Sequence, residues 1–203
     1  MNSNIKIIKE SQIKHMKWSG GTQSEVYIYP ENSTFEERNF IFNLCTATVD
    51  LEKSNFTFFP NYNRIIMTLD NPLTLKHNDG EEIHLAQYQP HTFYGEDKTV
   101  SYGKVNDYNF VMARDKCEGD LQVISLARGC TIFPKVGNFS CSKVMELIYV
   151  KTGAVEINDN GITDTAHQGE LIVFDTPQDQ RKFVISNHGT DTSLLIIAEA
   201  HIL

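Results

Sequence analysis

Arg64 carries a planar guanidinium with five N–H donors, the side chain best matched to a carboxylate held through two parallel hydrogen bonds. Other residues have the types that a small polar anion needs. Gly20 and Gly21 let the backbone approach closely and expose N–H donors, and Thr22 adds a hydroxyl. Asn109 donates and accepts at once, which suits a formamide or an amide. Trp18 and Phe93 would wall such a site with apolar surface and strengthen its polar contacts by lowering the local dielectric. Glu25, Asp107 and Met112 complete the candidate ligand-binding set. Each has a plainer reading. Arg64 would serve equally in a structural ion pair with Glu25 or Asp107, Gly20-Gly21 as a bend, and Trp18 as a core plug. On an extended segment Asp107 and Asn109 share one face while Tyr108, Phe110 and Met112 take the other, as in any barrel strand.

Signals for catalysis are weaker. The chain has no G-x-S-x-G elbow, no H-E-x-x-H, no P-loop and no glycine-rich dinucleotide fingerprint. Cys45 lies among apolar neighbours, where a thiol is inert rather than activated. Tyr102, Tyr108 or His91 could serve as a base, but no spacing demands it. His77, His84 and His91 fall seven apart; seven is odd, so on one strand successive members face opposite sides and no shared metal site is expected. The four cysteines, Cys45, Cys117, Cys130 and Cys141, lack C-x-x-C spacing and read as reduced, mostly buried thiols.

The elements that must position these groups read as strands. Short runs rich in β-branched and aromatic residues recur at 26–29, 40–49, 65–69, 73–75, 109–113, 121–126, 147–150, 154–157, 171–174, 182–185 and 194–198. Turn signals such as Asn71-Pro72, Asp79-Gly80, Thr152-Gly153 and Asn160-Gly161 separate them. No helical apolar stripe is present, so the fold class is all-β. The 203 residues, 40% apolar with 12 Phe and 8 Tyr, suffice for one domain or two small ones and argue against disorder. A net charge of −8 without a basic stretch excludes nucleic acid and an acidic membrane surface as partners. The first fifteen residues hold no apolar run of signal-peptide length, so a cytoplasmic location is expected.

The chain also repeats itself. Arg64 and Glu146 stand 82 positions apart, as do Leu75 and Ile157; Gly80 and Gly161, and Phe93 and Phe174, stand 81 apart. Both copies read strand, sharp turn, strand, Asx-Gly turn, strand, polar stretch, strand, with the Asx-Gly step suited to a type I′ turn. The second copy resembles a cupin, a small antiparallel jelly-roll barrel. Glu146-Leu-Ile-Tyr-Val-Lys-Thr-Gly153 resembles the end of its first motif, and Gly169-Glu-Leu-Ile-Val-Phe-Asp175 with Pro177 and Asn187 its second. The positions matching the metal-binding histidines are Ser140 and Ser142 (or Phe139 and Cys141) and Phe183, leaving only Glu146; Arg64 takes its place in the first copy. One carboxylate cannot hold a transition ion, so the resemblance implies no metal and no other cofactor.

Trp18-Ser-Gly-Gly-Thr22 with Glu25, then Phe56-Thr-Phe-Phe-Pro-Asn-Tyr-Asn-Arg64, Phe93-Tyr-Gly95 and Asp107-Tyr-Asn-Phe-Val-Met112 resemble, in order, the HutD/Ves family of double-cupin, RmlC-like proteins. The glycine-rich segment is two residues shorter than in most members. Phe42-Asn-Leu-Cys45 replaces the family's Trp-Arg-x-Ser, and Pro60-Asn61 replaces its Pro-Gly turn, which an αL-tolerant Asn can serve. The resemblance implies a bicupin of two packed antiparallel jelly-roll barrels, residues 1–115 and 116–203, with terminal strands open to exchange. It places the candidate residues around the mouth of the first barrel. It further implies a small acidic metabolite of the N-formylglutamate kind and a regulatory role in histidine utilisation or stress response. Two other classes stay open: a cofactor-independent isomerase or hydrolase on a carboxylated substrate, and an interaction protein without ligand. A homodimer is also left open.

Overall fold

The computed structural model describes residues 5–133, 141–175 and 183–203. Every regular element in them is a β-strand except one 3-10 turn, Glu10–Gln12. The positions read as Phe139, Ser140 and Pro177 in the cupin motifs lie outside the described residues. The chain divides into two compact units. One is Ile13–Glu118; the other joins the residues up to Gln12 to Gly119–Leu203. Strand β1 (Ile5–Ile8) therefore belongs with the C-terminal part of the chain, where it pairs with a strand at Leu171–Phe174.

The Ile13–Glu118 unit contains β2 (Lys14–Trp18), β3 (Gly21–Tyr29), β4 (Phe42–Val49), β5 (Lys53–Asn55), β6 (Tyr62–Thr68), β7 (Leu73–His77), β8 (Glu82–Leu85), β9 (Pro90–Tyr94), β10 (Thr99–Tyr102) and β11 (Val105–Ala113). They form one sheet in the order β2-β3-β4-β11-β6-β9 and a second in the order β5-β10-β7-β8. The other unit contains β12 (Cys117–Leu126), β13 (Thr131–Ile132), β14 (Lys143–Thr152), β15 (Ala154–Asp159), β16 (Ile162–His167), β17 (Leu171–Phe174), β18 (Phe183–Ser186) and β19 (Ser193–Ile202), with sheet orders β1-β17-β14-β19-β12 and β13-β18-β15-β16. The repeat in the sequence thus corresponds to a repeat in topology: β9-β6-β11-β4 matches β17-β14-β19-β12, and β5-β10-β7-β8 matches β13-β18-β15-β16.

Within each unit the sheets are not closed barrels, which corrects the barrel expectation. Strand pairing stops at edge strands, and the core is made by side chains meeting across sheets. In the Ile13–Glu118 unit, Val49, Ile66, Phe93 and Val105 of the larger sheet pack with Leu73, Leu75 and Leu85 of the smaller. In the other, Ile148, Val150, Ile172, Phe174, Leu195 and Ile197 pack with Val155, Ile157, Ala166, Phe183 and Ile185. Strand β19 is buried on both faces over most of its length, so 194–198 reads as a continuous apolar run, whereas the central strands β4 and β11 hold buried polar residues, Asn43, Asp107 and Asn109, among their apolar ones. Strands at or near sheet edges, β2, β8, β9 and β16, are largely exposed and polar, and their alternation was too faint to mark them in the sequence.

The two Asx-Gly turns differ. Asn160 and Gly161 both have positive φ, as a type I′ turn needs, and Asp159 pairs directly with Ile162. In the other copy the positive φ falls on Asn78 instead of Gly80. Asn78 is drawn aside by its own bonds: its N–H donates to the Lys98 carbonyl, its side-chain oxygen accepts from the Lys98 N–H, and its Nδ2 donates to Asp97. Asn61, in the Pro60-Asn61 turn, has φ 67°, as expected of an αL asparagine.

Candidate functional site

Register decides which side chains meet. In the six-stranded sheet Asp107 on β11 is opposite Ala47 on β4 and Thr68 on β6, and Ala47 is opposite Gln23 on β3. The next rung in the same orientation runs Glu25, Cys45, Asn109, Ile66, His91. A third runs Asn43, Val111, Arg64, Phe93. Because side chains alternate, these rungs share one face of the sheet. There Gln23, Cys45, Ala47, Arg64, Asp107, Asn109 and Val111 line a cavity of about 50 Å³, closed by Trp18, Phe56 and Phe59 among others.

Arg64 is the cavity's cation. Its Nη2 donates to Asn109 Oδ1 at 2.9 Å, and Asn109 Nδ2 donates to Asp107 Oδ1. The guanidinium lies over two rings, with Cζ 4.9 Å from the Phe93 centroid and 5.2 Å from that of Phe56. Burial lowers the Arg64 pKa, opposed by the nearby Cys45 and Asp107. Burial pushes Asp107 up to about 7, against the opposing pull of Arg64 and the Asn109 hydrogen bond. The Cys45 thiol is pushed up to about 12 by burial and by Asp107, so it is not an activated nucleophile.

Three buried donors on the cavity wall have no hydrogen-bond partner: Trp18 Nε1, Gln23 Nε2 and Arg64 Nε. Buried polar groups are ordinarily paired. Asn43 Oδ1, on the same face but outside the cavity lining, is an unpaired acceptor; the three donors that the lining itself leaves unpaired are the complement of a ligand rich in acceptor atoms.

The structure therefore gathers Trp18, Arg64, Phe93, Asp107 and Asn109 from the candidate set. Glu25 shares their face but is taken up by Lys14 Nζ at 3.6 Å and by Asn43 Nδ2 at 3.3 Å, so it is not the partner of Arg64. Gly20 and Gly21 meet a steric need. A Cβ on Gly20 would lie 2.2 Å from the Trp18 ring, and one on Gly21 would lie 2.1 Å from the Thr48 carbonyl oxygen, so both are steric requirements. The Thr22 N–H is already given to Thr48 Oγ1 at 3.0 Å. Met112 is buried on the opposite face of β11, with Tyr108 and Phe110. Gln23 was missed; its same-face spacing from Glu25 was the available signal, and nothing local marked it. Phe56 was quoted only as part of a motif.

His77 and His91 also depart from expectation. They sit on β7 and β9, strands of different sheets, and their Nε2 atoms meet at 2.9 Å. The odd spacing that separates them on a single strand does not apply. His77 Nδ1 is 2.8 Å from Thr99 Oγ1, which donates to the Asp97 carbonyl, while His84 bonds Thr74 on the exposed side. Burial lowers the pKa of both His77 and His91. Among the described residues no group of three or more His, Cys, Asp or Glu is placed to hold a metal ion, and no helix is long and apolar enough to cross a membrane.

A family model described as HutD matches residues 10–192. A conserved protein of unknown function, PA5104, from Pseudomonas aeruginosa PAO1 is 19% identical with a TM-score of 0.79, over 98% of this chain and 99% of that one. HutD from Pseudomonas fluorescens SBW25, solved in a formate condition, is 17% identical with a TM-score of 0.70, over 98% and 99%. The bacterial pirin YhhW from Escherichia coli, in complex with nickel(II), is 9% identical with a TM-score of 0.66, over 96% and 98%. At such identities these likenesses concern the fold alone. No curated protein sequence matches the chain.

Proposed function

The chain belongs to the HutD family, and from that membership and the buried Arg64–Asn109–Asp107 array we propose that it is a bicupin binding a small acidic metabolite. The ligand is of the N-formylglutamate kind, and the role is regulatory, in histidine utilisation or stress response. The observation that carries this reading is the set of three unpaired donors, Trp18 Nε1, Gln23 Nε2 and Arg64 Nε, around one cavity beside a buried cation. A carboxylate or formyl oxygen would satisfy them, and the apolar rings around Arg64 strengthen each contact by excluding water. A cavity of about 50 Å³ suits a formyl or carboxylate head group.

Thermal unfolding in the presence of formate, glutamate and N-formylglutamate tests the reading, because a ligand that binds only the native state raises the melting temperature by mass action. We expect a rise with at least one of them, lost in Arg64→Ala. No rise with any of the three at millimolar concentration overturns it.

One observation favours a second reading, a cofactor-independent isomerase or hydrolase acting on a carboxylated substrate. Asp107, pushed up to about 7 beside the cavity, has the acidity of a general acid–base catalyst at neutral pH. Turnover of a carboxylated substrate that Asp107→Asn abolishes would decide for it.

A further inference from the structure

The walls of the Arg64 cavity carry one cation and one carboxyl group, Arg64 and Asp107, on the neighbouring strands β6 and β11, with a thiol, Cys45, on β4 at the other side of β11. When Asp107 is ionised the two side chains already balance. An entering carboxylate then becomes a second negative charge in a space with a single positive one, and a buried charge without a counterion is costly. The cavity offers no second cation. Lys14 is engaged by Glu25, and the guanidinium of Arg114 is engaged by Glu96.

Asp107 is built to lose that charge. It is 1% exposed, and its side chain's hydrogen-bond partner is a neutral amide, Asn109. Asn109 stands as a spacer, accepting from Arg64 on one side and donating to Asp107 on the other, so the guanidinium does not touch the carboxyl group. The charged and titratable groups facing Asp107 from neighbouring elements are Cys45 on β4, Glu25 on β3, Arg64 on β6 and Asp70 just beyond β6. Arg64 alone is positive. Burial already holds the Asp107 pKa near 7.

We infer that an anion enters this cavity together with a proton, which Asp107 takes from solvent, while Trp18, Gln23 and Arg64 receive the anion's oxygens. This inference rests on the anion-binding reading above. Arg64 is then left to balance the ligand, and Asp107 becomes a neutral acid still bonded to Asn109. The sign follows from linkage. Above the Asp107 pKa every bound ligand draws one proton, so affinity falls about tenfold per pH unit. Below it, affinity levels off until the ligand itself is protonated, at around pH 4 for a carboxylic acid.

Isothermal titration with formate and with N-formylglutamate at pH 8, in buffers of differing ionisation enthalpy, reads the proton number directly. We expect the uptake of about one proton and a tenfold fall in affinity from pH 8 to pH 9. Asp107→Asn, a neutral isostere, should bind with no uptake and with affinity flat over that range. Gln23→Leu should bind at least tenfold more weakly with the uptake unchanged. Binding without uptake in the unsubstituted protein, or uptake that persists in Asp107→Asn, overturns the inference and leaves the anion-binding reading standing. Absence of binding to either acid, in both the unsubstituted protein and Asp107→Asn, overturns the reading itself.

Discussion

Arg64 gives its Nη2 hydrogen bond to the side-chain oxygen of Asn109, 2.9 Å away, and reaches Asp107 only through that amide. The arrangement leaves the guanidinium a free Nε donor in an enclosed space, at the expense of a direct ion pair. A buried cation held in this way keeps one donor unused by the fold.

The first expectation follows from that. Arg64→Met combined with Asp107→Asn keeps the bulk against Phe56 and Phe93 and removes both desolvated charges together, an exchange that is often neutral or stabilising by about 1–4 kcal/mol, whereas Arg64→Met alone leaves Asp107 without its counterion. Urea unfolding of the double variant should show a midpoint that is unchanged or higher, while titration with formate shows no binding. A loss of more than about 2 kcal/mol would mean that the pair holds the fold together.

Gly20 and Gly21 should respond differently to alanine. At Gly21 the new methyl meets the backbone carbonyl of Thr48, which cannot move without breaking the β3–β4 ladder, so we expect a loss of about 2–4 kcal/mol. At Gly20 it meets the Trp18 ring, which can swing away. That variant should unfold at nearly the same denaturant concentration yet bind the anion more weakly, because the Trp18 Nε1 donor is displaced. Equal effects on stability would refute the distinction.

His77 and His91 should make the protein acid-sensitive. Burial lowers both pKa values below the ordinary 6.5, and for His77 the neighbouring His91 and Arg64 lower it further against Asp97. The unfolded chain takes up protons at about 6.5, where the folded chain does not. Stability is therefore undiminished above that pH and declines as pH falls through 6.5 toward the folded values. Asp107, with its pKa raised to about 7, works in the opposite sense over the same range, so the histidine contribution is read as a difference. From pH 7 down to pH 5.5 the urea midpoint of His91→Gln should rise relative to that of the unsubstituted protein. An identical slope in that variant would assign the acid sensitivity to other groups.

Asn187 anchors the second unit. It is fully buried, donates through Nδ2 to the carbonyls of Leu126 and Asp191, and accepts from the Gly189 N–H. Asn187→Ala leaves three backbone groups without partners, each costing about 1–3 kcal/mol. A loss near 3 kcal/mol in equilibrium unfolding is expected, and a loss below about 1 kcal/mol would show that water replaces the amide.

The thiols should separate by reactivity. Cys130 is exposed and should be modified first by a disulfide reagent at pH 8. Cys45, with its thiol pushed up to about 12, and the buried Cys117 should react only on unfolding. Fast labelling of Cys45 in the native protein would mean that the cavity opens widely.

Much of this molecule is written locally. Alternation along 107–112 puts Asp107 and Asn109 on one face and Tyr108, Phe110 and Met112 on the other because side chains on a strand must alternate, whatever the fold. The repeat at 81–82 residues is legible for a related reason: the turn residues and apolar runs that make a strand order are short-range, and both units have that order. The membership of Arg64, Trp18 and Phe93 in one site is readable as a resemblance. What the chain could not disclose depends on register between strands far apart in sequence. Gln23 reaches the cavity because β3 pairs β4 with Gln23 opposite Ala47. His77 meets His91 because β7 and β9 belong to different sheets. Gly20 and Gly21 proved to make room for Trp18 and Thr48, and Asp107 rises toward neutrality because the sheets around it exclude water. Close approach and desolvation are properties of three-dimensional neighbours. The order of residues sets which groups are available, and only the packing of the sheets decides which of them lose their water together.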